Sequence, residues 1–373
     1  MANHKSDILI IGGGIAGCIA AISLVDNYHV IMIDTLSEPQ DRIGESLAPT
    51  AQRILRQLDL LKGMEDVIHN NEPMYFKNKG MQSHWGSEQI HIIDHLSNPD
   101  GSVLNLNRKA FETYLRTVAI QRGVQCIWPA KLASQAYENP HWHIVAKDHK
   151  HKTYNLTARF VIDATGRQSH FARKQGVKRH HIDQLIACWA TISDHQQNKM
   201  SRISASENGW WYSAVLPNNK RVLAFHTDSD LMDRKAMQDA DCFLALAQSN
   251  PVMKSVLEKA LGDIELHGIV AANSTCSQQV AGQQWAVLGD AAISFDPLSS
   301  QGMFNAMASA IQLKELINKF DVVNHPNTKN RHQFETDYTK QINQIWLHYL
   351  THKDHYYRQE KRWKESVFWK RRH

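Results

Sequence analysis

The chain has 373 residues, of which 42% are hydrophobic and 21% charged, so we expect two domains and a globular rather than disordered protein. A net charge of +5 is too small to indicate nucleic-acid binding, and no apolar run approaches the roughly 20 residues of a membrane span or forms a signal peptide. Five scattered cysteines and paired histidines without acidic companions indicate neither disulfides nor a metal site, so we expect a cytoplasmic protein.

The predicted elements begin with a strand, a glycine turn, a helix and a second strand within residues 8–34. Next come helices over 50–61 and 108–122, and strands over 141–146, 185–192, 210–216 and 221–226. The rest of the chain predicts a helical stretch over 239–261, a strand over 285–288, a helix over 304–317 and a helical end over 333–373.

This order predicts an α/β fold with a Rossmann-like nucleotide-binding domain built from discontinuous segments. The segments of that domain are 1–72, 100–180 and 264–330. A mostly antiparallel β domain for the substrate, 73–99 and 181–263, is inserted, and a helical, basic and aromatic tail covers 331–373.

A glycine-rich turn lies between the first predicted strand and helix, and its motif residues are Gly12, Gly14, Ile15, Ala16 and Gly17. The first glycine permits a tight turn, the second lets backbone approach a pyrophosphate, and the third lets the helix pack closely on the sheet. The helix N-terminus adds partial positive charge. Asp34 closes the second strand, where a carboxylate can accept hydrogen bonds from ribose hydroxyls. Together these features predict a dinucleotide site.

A second strand end favours FAD over NAD. Gly289 and Asp290 follow a buried strand, where the aspartate can hold a ribityl hydroxyl. The loop that follows feeds a helix, and its predicted flavin contacts are Pro297, Ser300, Gln301, Gly302 and Met303. Its backbone N–H groups and the positive helix end can point at the flavin ring. Asp163 and Gly166 end a third apolar strand, where a plain turn is the alternative to a cofactor contact.

Three glycine-bearing strand ends in this order resemble the flavin-dependent aromatic hydroxylases of the p-hydroxybenzoate hydroxylase fold and their relatives, the flavin-dependent halogenases. The segment 42–49 resembles the R-x-G-E-S segment of the halogenase-like branch, which lies beside the flavin there. The resemblance implies FAD contacts for Arg42, Ser46 and Arg108, and a place near the reacting face for Glu45. Arg42 can pair with Glu45, contact the FAD phosphates or form a surface ion pair.

Halogenation itself is not expected. The segment 212–217 lacks both tryptophans of the halogenase W-x-W-x-I-P pattern. Lys77 and Lys79 lie where a halogenase carries its reactive lysine, but two lysines in a turn are more often solvated.

Three further segments, 209–217, 296–302 and 356–372, together resemble the LodB/GoxB-type flavoproteins, the maturation partners of amino-acid oxidases that contain cysteine tryptophylquinone. The resemblance implies that a tryptophan side chain in an oxidase precursor protein is hydroxylated through a flavin C4a-hydroperoxide. O₂ would be a co-substrate and NAD(P)H a transient electron donor. We expect Glu45, Trp211 and Pro297 to be the catalytic residues.

Alternatives remain open at this point. Trp210, Trp211 and Tyr212 either line a substrate channel or fill the core. The basic tail either docks the precursor or packs as a helical cap on the FAD domain. The chain could instead be a hydroxylase or halogenase of a small aromatic molecule, a prenyl reductase, or a flavin-bearing chaperone without catalytic activity.

Overall fold

The computed structural model describes residues 2–66, 68–69, 72–94, 98–194, 199–258 and 264–373. The strands in these ranges are β1 (Ala2–Ile11), β2 (Val30–Ile33), β3 (Ser46–Leu47), β4 (Ile68–His69), β5 (Glu72–Pro73), β6 (Tyr75–Asn78), β7 (Gly80–His84), β8 (His91–Asp94), β9 (Val103–Leu106), β10 (Gln125–Ile127), β11 (Lys131–Glu138), β12 (His141–Lys147), β13 (Thr153–Asp163), β14 (Arg179–His181), β15 (Leu185–Ser193), β16 (Ser201–Ser206), β17 (Gly209–Val215), β18 (Lys220–Asp228), β19 (Glu265–Ala271), β20 (Thr275–Ser277), β21 (Ala281–Gly282), β22 (Trp285–Val287) and β23 (Ile293–Ser294). The α-helices are α1 (Ile15–Leu24), α2 (Ala51–Gln57), α3 (Leu61–Asp66), α4 (Arg108–Gln121), α5 (His170–Lys174), α6 (Ala240–Ser249), α7 (Pro251–Leu257), α8 (Gly302–Phe320), α9 (Thr328–Tyr357) and α10 (Val367–Lys370).

The largest sheet contains five parallel strands in the order β10-β2-β1-β13-β22. The first half of β13 also pairs with β12, and β12 with β11, both antiparallel. Strand β2 is buried along its whole length, as expected for a parallel strand covered on both faces. Helix α1 packs against α8 and α4. This arrangement confirms the predicted α/β class with a Rossmann-like core.

A second sheet has seven strands in the order β19-β15-β18-β17-β16-β7-β8, antiparallel except between β16 and β7. Its two faces differ because neighbouring side chains of a strand point to opposite sides. Trp211 packs with Phe243 of α6 and Met253 of α7 in one hydrophobic cluster. Trp210 and Tyr212 lie on the other face. Smaller sheets have the orders β14-β20-β23, β3-β9-β6 and β4-β5.

The C-terminal tail contacts both parts of the molecule. Helix α9 buries Phe334 and Tyr338 in the core of the parallel sheet. The segment after α9 buries Phe368 and Trp369 against Trp85 and Trp210 of the seven-stranded sheet. The tail is therefore packed on the β sheet that was predicted to bind substrate as well as on the nucleotide-binding part.

Several predicted elements are broken in the structure, and each break has a local cause. The predicted helix 50–61 ends at Gln57, as α2, because Asp59 takes a left-handed backbone conformation with φ +53°, and α3 begins only at Leu61. The helical stretch 239–261 divides at Asn250, whose side chain caps α7, because Pro251 cannot continue a helix. Its last residues, 259–261, lie outside the described residues, and the predicted domain limits stay predictions.

Candidate active site

Four parallel strands end together at one edge of the main sheet. Ile11 is in register with Ile33 and with Asp163, and Asp163 is in register with Val287. A cavity of about 890 Å³ opens at this edge, lined on one side by the strand-end turns and on the other by the seven-stranded sheet. Ligands of doubly wound sheets bind at the carboxyl edge of the strands, so this cavity is the candidate site.

The three motif glycines of the turn differ in how much free space surrounds them. Gly12 has φ +114°, and a Cβ there would lie 2.3 Å from the carbonyl oxygen of Ala164. A Cβ on Gly17 would lie 1.9 Å from the oxygen of Gly12. Around Gly14, in contrast, no atom lies within 4 Å of the Cβ position, and Gly14 faces the cavity. Gly12 and Gly17 thus make the turn, and Gly14 leaves room for a bound molecule.

Asp34 lies at the end of β2 and is held by a residue that the sequence analysis missed. Its two carboxylate oxygens accept hydrogen bonds from the N–H groups of Gly13, at 2.6 Å, and Leu36, at 2.7 Å. Arg116 of α4 forms an ion pair with it at 3.2 Å and donates to the Gly13 carbonyl at 3.0 Å. The guanidinium also stacks over Trp128, 4.7 Å from the ring centre. Arg116 therefore ties the glycine turn to the acidic strand end.

Two residues predicted to bind the cofactor lie behind the cavity wall. Asp163 is buried, and its oxygens accept hydrogen bonds from Thr165 and from the N–H of Ala172, so it shapes the turn without lining the cavity. Burial raises the pKa of this carboxyl. Gly289 is also buried, with φ +59°, and a Cβ there would lie 2.9 Å from that of Ala16. Asp163 and Gly289, like Gly17, thus form a second layer behind the cavity-lining residues, and cofactor contacts for them stay predictions.

The neighbours of these buried residues face the cavity. Gly166 and Asp290 both line it, and the Asp290 carboxylate lies 3.7 Å from Nε of Arg167. Arg179 donates to the carbonyl oxygen of Asp290 at 2.9 Å and fixes the turn from below. Asp290 is the strand-end carboxylate that remains open to a ligand, since its side chain is 41% exposed.

The loop before α8 is held from beneath by the C-terminal helix. The buried Asp296 accepts hydrogen bonds from the N–H of Leu298, at 2.9 Å, and from the Tyr357 hydroxyl, at 2.7 Å. Ser300 takes a left-handed conformation with φ +50°. The remaining loop and helix residues that line the cavity are Pro297, Gln301, Gly302 and Met303. The 19-residue helix α8 thus begins at the cavity and directs its free N–H groups there.

The 42–46 loop is organised by Glu112 rather than by Glu45. Glu112 is buried and forms an ion pair with Arg108 at 2.6 Å and a longer one with Arg42 at 3.7 Å. Arg108 also donates to the carbonyl oxygen of Gly44 at 2.6 Å. Of the three possibilities considered for Arg42, the structure therefore shows an ion pair, but not with Glu45. Arg42, Arg108 and Ser46 line the cavity.

Glu45 is a buried carboxyl at the cavity wall, 2% exposed. One oxygen accepts the N–H of Gly44 at 3.1 Å, and the other, Oε1, has no hydrogen-bond partner. Burial raises the pKa of this carboxyl, although nearby hydrogen-bonding groups and Arg108 oppose the rise. The Tyr212 hydroxyl lies beside it without well-formed hydrogen-bond geometry, and burial and the Glu45 charge raise the pKa of that phenol.

The opposite wall of the cavity is aromatic. Trp210 stacks on His226 with ring centres 3.7 Å apart, and Trp189 stacks on His267 at 4.0 Å. Burial lowers the pKa of His226 to about 3, so this wall stays uncharged near neutral pH. Trp211, predicted to be catalytic, points to the other face and packs on Phe225 and Phe243. Alternation along β17 therefore places Trp210 and Tyr212, rather than Trp211, at the cavity.

Among the described residues, the lysine that lines the cavity is Lys131, at the start of β11, rather than either of the two considered for halogenation. Lys77 and Lys79 are exposed and do not line the cavity. Among the described residues no helix has the length and hydropathy needed to cross a bilayer.

The residues at the cavity fit a flavin dinucleotide. Backbone can approach a pyrophosphate at Gly14, where there is free space beside the start of α1. Asp34 retains free lone pairs at the position expected for a ribose, and the start of α8 can accept the electron-rich edge of a flavin ring. Glu45 and Tyr212, on the wall facing this space, each have a buried oxygen without a well-formed hydrogen bond, which leaves polar capacity for a further partner.

Comparison with known proteins agrees with this geometry. Residues 5–320 match the family described as FAD binding domain. The chain is 28% identical to LodB of Marinomonas mediterranea, a protein assigned as an FAD-dependent oxidoreductase, over 98% of this chain and 96% of LodB. This similarity confirms the resemblance to LodB-type flavoproteins.

Solved structures share the fold. QhpG, a peptidyl tryptophan dihydroxylase essential for tryptophylquinone cofactor biogenesis, superposes with a TM-score of 0.78 at 21% identity, covering 99% of this chain and 78% of QhpG. The flavin-dependent halogenase CmlS gives a TM-score of 0.83 at 21% identity, covering 100% of this chain and 68% of CmlS. The chain therefore belongs to the FAD binding domain family.

Proposed function

We propose that this chain is an FAD-dependent monooxygenase that hydroxylates a tryptophan side chain in the precursor of a quinone-cofactor amino-acid oxidase. The observation that carries the proposal is the cavity itself, which has a dinucleotide cradle on one side and an uncharged aromatic wall on the other. Similarity to LodB along nearly the whole chain supports it, as does the protein-bound tryptophan substrate named for QhpG.

In this proposal FAD is held by the cavity-lining residues of the turns and the α8 loop. These are Gly12, Gly14, Ile15, Ala16, Asp34, Arg42, Ser46, Arg108, Gly166, Asp290, Pro297, Ser300, Gln301, Gly302 and Met303. The Pro297 ring carries no titratable group, so this residue cannot transfer a proton. Its contribution is the fixed backbone conformation at the start of the loop. Arg116 acts as a positioning residue through Asp34.

Bound FAD, reduced by NAD(P)H, supplies the chemistry that activates O₂. Overall, one oxygen atom joins a ring carbon, the other leaves as water, and the ring carbon loses a proton. The chain orients the indole against Trp210 and Tyr212 and keeps bulk water away. Glu45 is placed to take the proton, because a buried carboxyl with a raised pKa is a stronger base than an exposed one.

The neutral state of His226 matters for this chemistry. A charged imidazolium in the wall would disfavour positive charge developing on the ring during oxygen transfer. Burial removes that charge near neutral pH because it lowers the pKa of His226 to about 3. NAD(P)H as the donor, and a cytoplasmic location favoured by five free thiols, stay predictions.

The test is oxygenation of a precursor protein. The FAD-loaded chain is incubated with NAD(P)H, O₂ and the precursor of a cysteine tryptophylquinone oxidase, and tryptic peptides are analysed by mass spectrometry. We expect an oxygen mass gain on one tryptophan peptide and none when that tryptophan is replaced by phenylalanine. The variant E45Q should lower the yield, while W211F, on the opposite face of the sheet, should not.

A second candidate, a hydroxylase or halogenase of a small aromatic molecule, predicts the opposite substrate preference. Likeness of fold to CmlS keeps this candidate in view, although Lys77 and Lys79, the lysines considered for halogenation, do not line the cavity. Oxygen or halogen on free tryptophan or a phenol, with an unmodified precursor, would replace the proposed function by this one.

A further inference from the structure

A second cavity of about 70 Å³ lies beside the main one. Glu45, Trp189 and His267 line both cavities and so form the boundary between them. At its other end the small cavity is lined by Lys220 and Glu265, an ion pair at 2.9 Å whose side chains are 43% and 59% exposed. This side cavity therefore extends from the reacting region of the main cavity towards the protein surface.

Among the described residues that line the side cavity, four carry a buried polar atom without a hydrogen-bond partner. These atoms are Oε1 of Glu45, Nε of Arg108, Nε1 of Trp189 and Oδ1 of Asn218. Two of the atoms are donors, and Asn218 Oδ1 is an acceptor, as is Glu45 Oε1 when ionised. A buried polar group without a partner is destabilising, so four of them around one small space indicate a polar occupant.

The other polar atoms of Arg108 and Glu45 are already engaged, while the Tyr212 hydroxyl lies beside Glu45 without a well-formed hydrogen bond. The terminal nitrogens of Arg108 bind the carbonyl oxygen of Gly44 and the carboxylate of Glu112. The second oxygen of Glu45 accepts the N–H of Gly44. A space of about 70 Å³ holds about two to four water molecules, each of which makes about three hydrogen bonds when buried. Water thus matches both the size and the mixed donor and acceptor pattern.

We propose that ordered water in the side cavity carries protons between Glu45 and the surface at the Lys220–Glu265 pair. The source of the proton rests on the proposed function: the ring carbon that gains oxygen loses a proton, and the Glu45 carboxylate forms an O–H bond with it. The same proton then passes to the adjacent water and leaves to solvent, which restores the carboxylate for the next turnover.

The other ionisable groups around this path leave Glu45 as its inner proton carrier. Arg42, Arg108 and Lys220 are cations, and Asp41 also lines the side cavity. Burial lowers the pKa of His267, which keeps the imidazole neutral. The neighbouring Lys220 lowers the pKa of Glu265, so Glu265 remains a carboxylate at the outer end.

Infrared spectroscopy tests the path without turnover. In the FAD-loaded full chain, at an acidic pH that protonates Glu45, the C=O band of its carboxyl is assigned by its loss in E45Q, and the shift of this band is timed after transfer from H₂O to D₂O. N218L fills the side cavity and removes one of its acceptors, so it should slow the shift by at least about tenfold. The matched control N324L, at an exposed asparagine away from both cavities, should exchange like the wild type.

Equally fast exchange in N218L would overturn the proposal. A crystal structure of the wild-type protein gives a second check that does not depend on the folding of N218L. We expect ordered water within hydrogen-bond distance of Glu45 Oε1 and Trp189 Nε1, and a dry side cavity would also overturn the proposal. Both readouts are independent of the precursor, so an unmodified precursor would refute the proposed function alone.

Discussion

The buried His226 makes a strong prediction about stability at mildly acidic pH. Its ring is 1% exposed, stacks on Trp210 with an angle of 5° between the planes, and has no hydrogen-bond partner at either nitrogen. Burial lowers its pKa from 6.5 to about 3 in the folded protein. The unfolded chain, in contrast, binds a proton with the ordinary value. Stability from this residue is therefore complete above the unfolded pKa and is lost as pH falls towards about 3.

The size of the effect follows from the two pKa values. At about pH 7 the imidazole is mostly neutral in both states, whereas at about pH 5 mainly the unfolded state is protonated. The folded state should therefore lose about 2 kcal/mol between these pH values through His226 alone. Carboxylates elsewhere add their own pH dependence, so the contribution must be measured as a difference between two proteins.

The variant H226F isolates this contribution. Phenylalanine keeps a flat ring against Trp210 but carries no titratable group. Urea unfolding of wild type and H226F, both saturated with FAD, is followed at about pH 7 and about pH 5. We expect the stability of wild type relative to H226F to fall by about 2 kcal/mol at the lower pH. A relative stability that does not change with pH would show that the imidazole is not held neutral, and would refute this reading of the aromatic wall.

Three further predictions concern the cofactor side of the cavity. G14A should fold normally but bind FAD more weakly, because its methyl group enters the free space beside the turn. G12A, in contrast, should destabilise the apoprotein itself. FAD affinity is measured by flavin fluorescence, and equal affinity in G14A and wild type would contradict this prediction. R116M should lower the free energy of unfolding in urea by about 3 kcal/mol, because it leaves the mostly buried Asp34 carboxylate without its ion pair. A loss below about 1 kcal/mol would show that stability does not depend on this ion pair. Y357F removes a hydroxyl that joins Trp210 of the sheet wall to Asp296 of the α8 loop, so the free energy of unfolding should fall by about 1–3 kcal/mol. Y75F removes a hydroxyl from an exposed hydrogen bond and is the control. Equal losses in the two variants would contradict the role assigned to the Tyr357 hydroxyl.

The convergence of the strand-end turns could be predicted from sequence because it depends on local pattern and on parallel pairing. Glycines, apolar strands and terminal acids are close together in the chain, and the carboxyl ends of parallel strands necessarily share an edge. Local pattern and strand pairing do not distinguish residues that line the cavity from residues buried behind the cavity-lining layer. Asp163 and Asp290 look alike in sequence, yet the first is buried under its own turn and the second faces the cavity.

The position of Trp211 could not be predicted for a related reason. Alternation along a strand shows that Trp210 and Trp211 face opposite sides, but only packing shows which side borders the cavity. Helices α6 and α7 cover the Trp211 face. These helices are distant in sequence from the strand, so the segment 209–217 alone does not indicate which of its faces they cover.

Arg116 did leave a signal in the sequence. Arg108, Glu112 and Arg116 are spaced four residues apart on the predicted helix 108–122, so they share one face. Three alternating charges on a face that also approaches the glycine turn indicate a buried network rather than a solvated surface. Reading that spacing would have found both the partner of Asp34 and the carboxylate that holds the 42–46 loop.

The most direct measurement of the central claim is incorporation of heavy-isotope O₂ into a purified precursor protein. The FAD-loaded chain, NAD(P)H and the precursor are allowed to react under labelled O₂ and, in parallel, under ordinary O₂ in labelled water. A tryptophan peptide that gains label from O₂ but not from water is the predicted result. Label gained only from water, or labelled free aromatic compounds beside an unchanged precursor, would contradict the account.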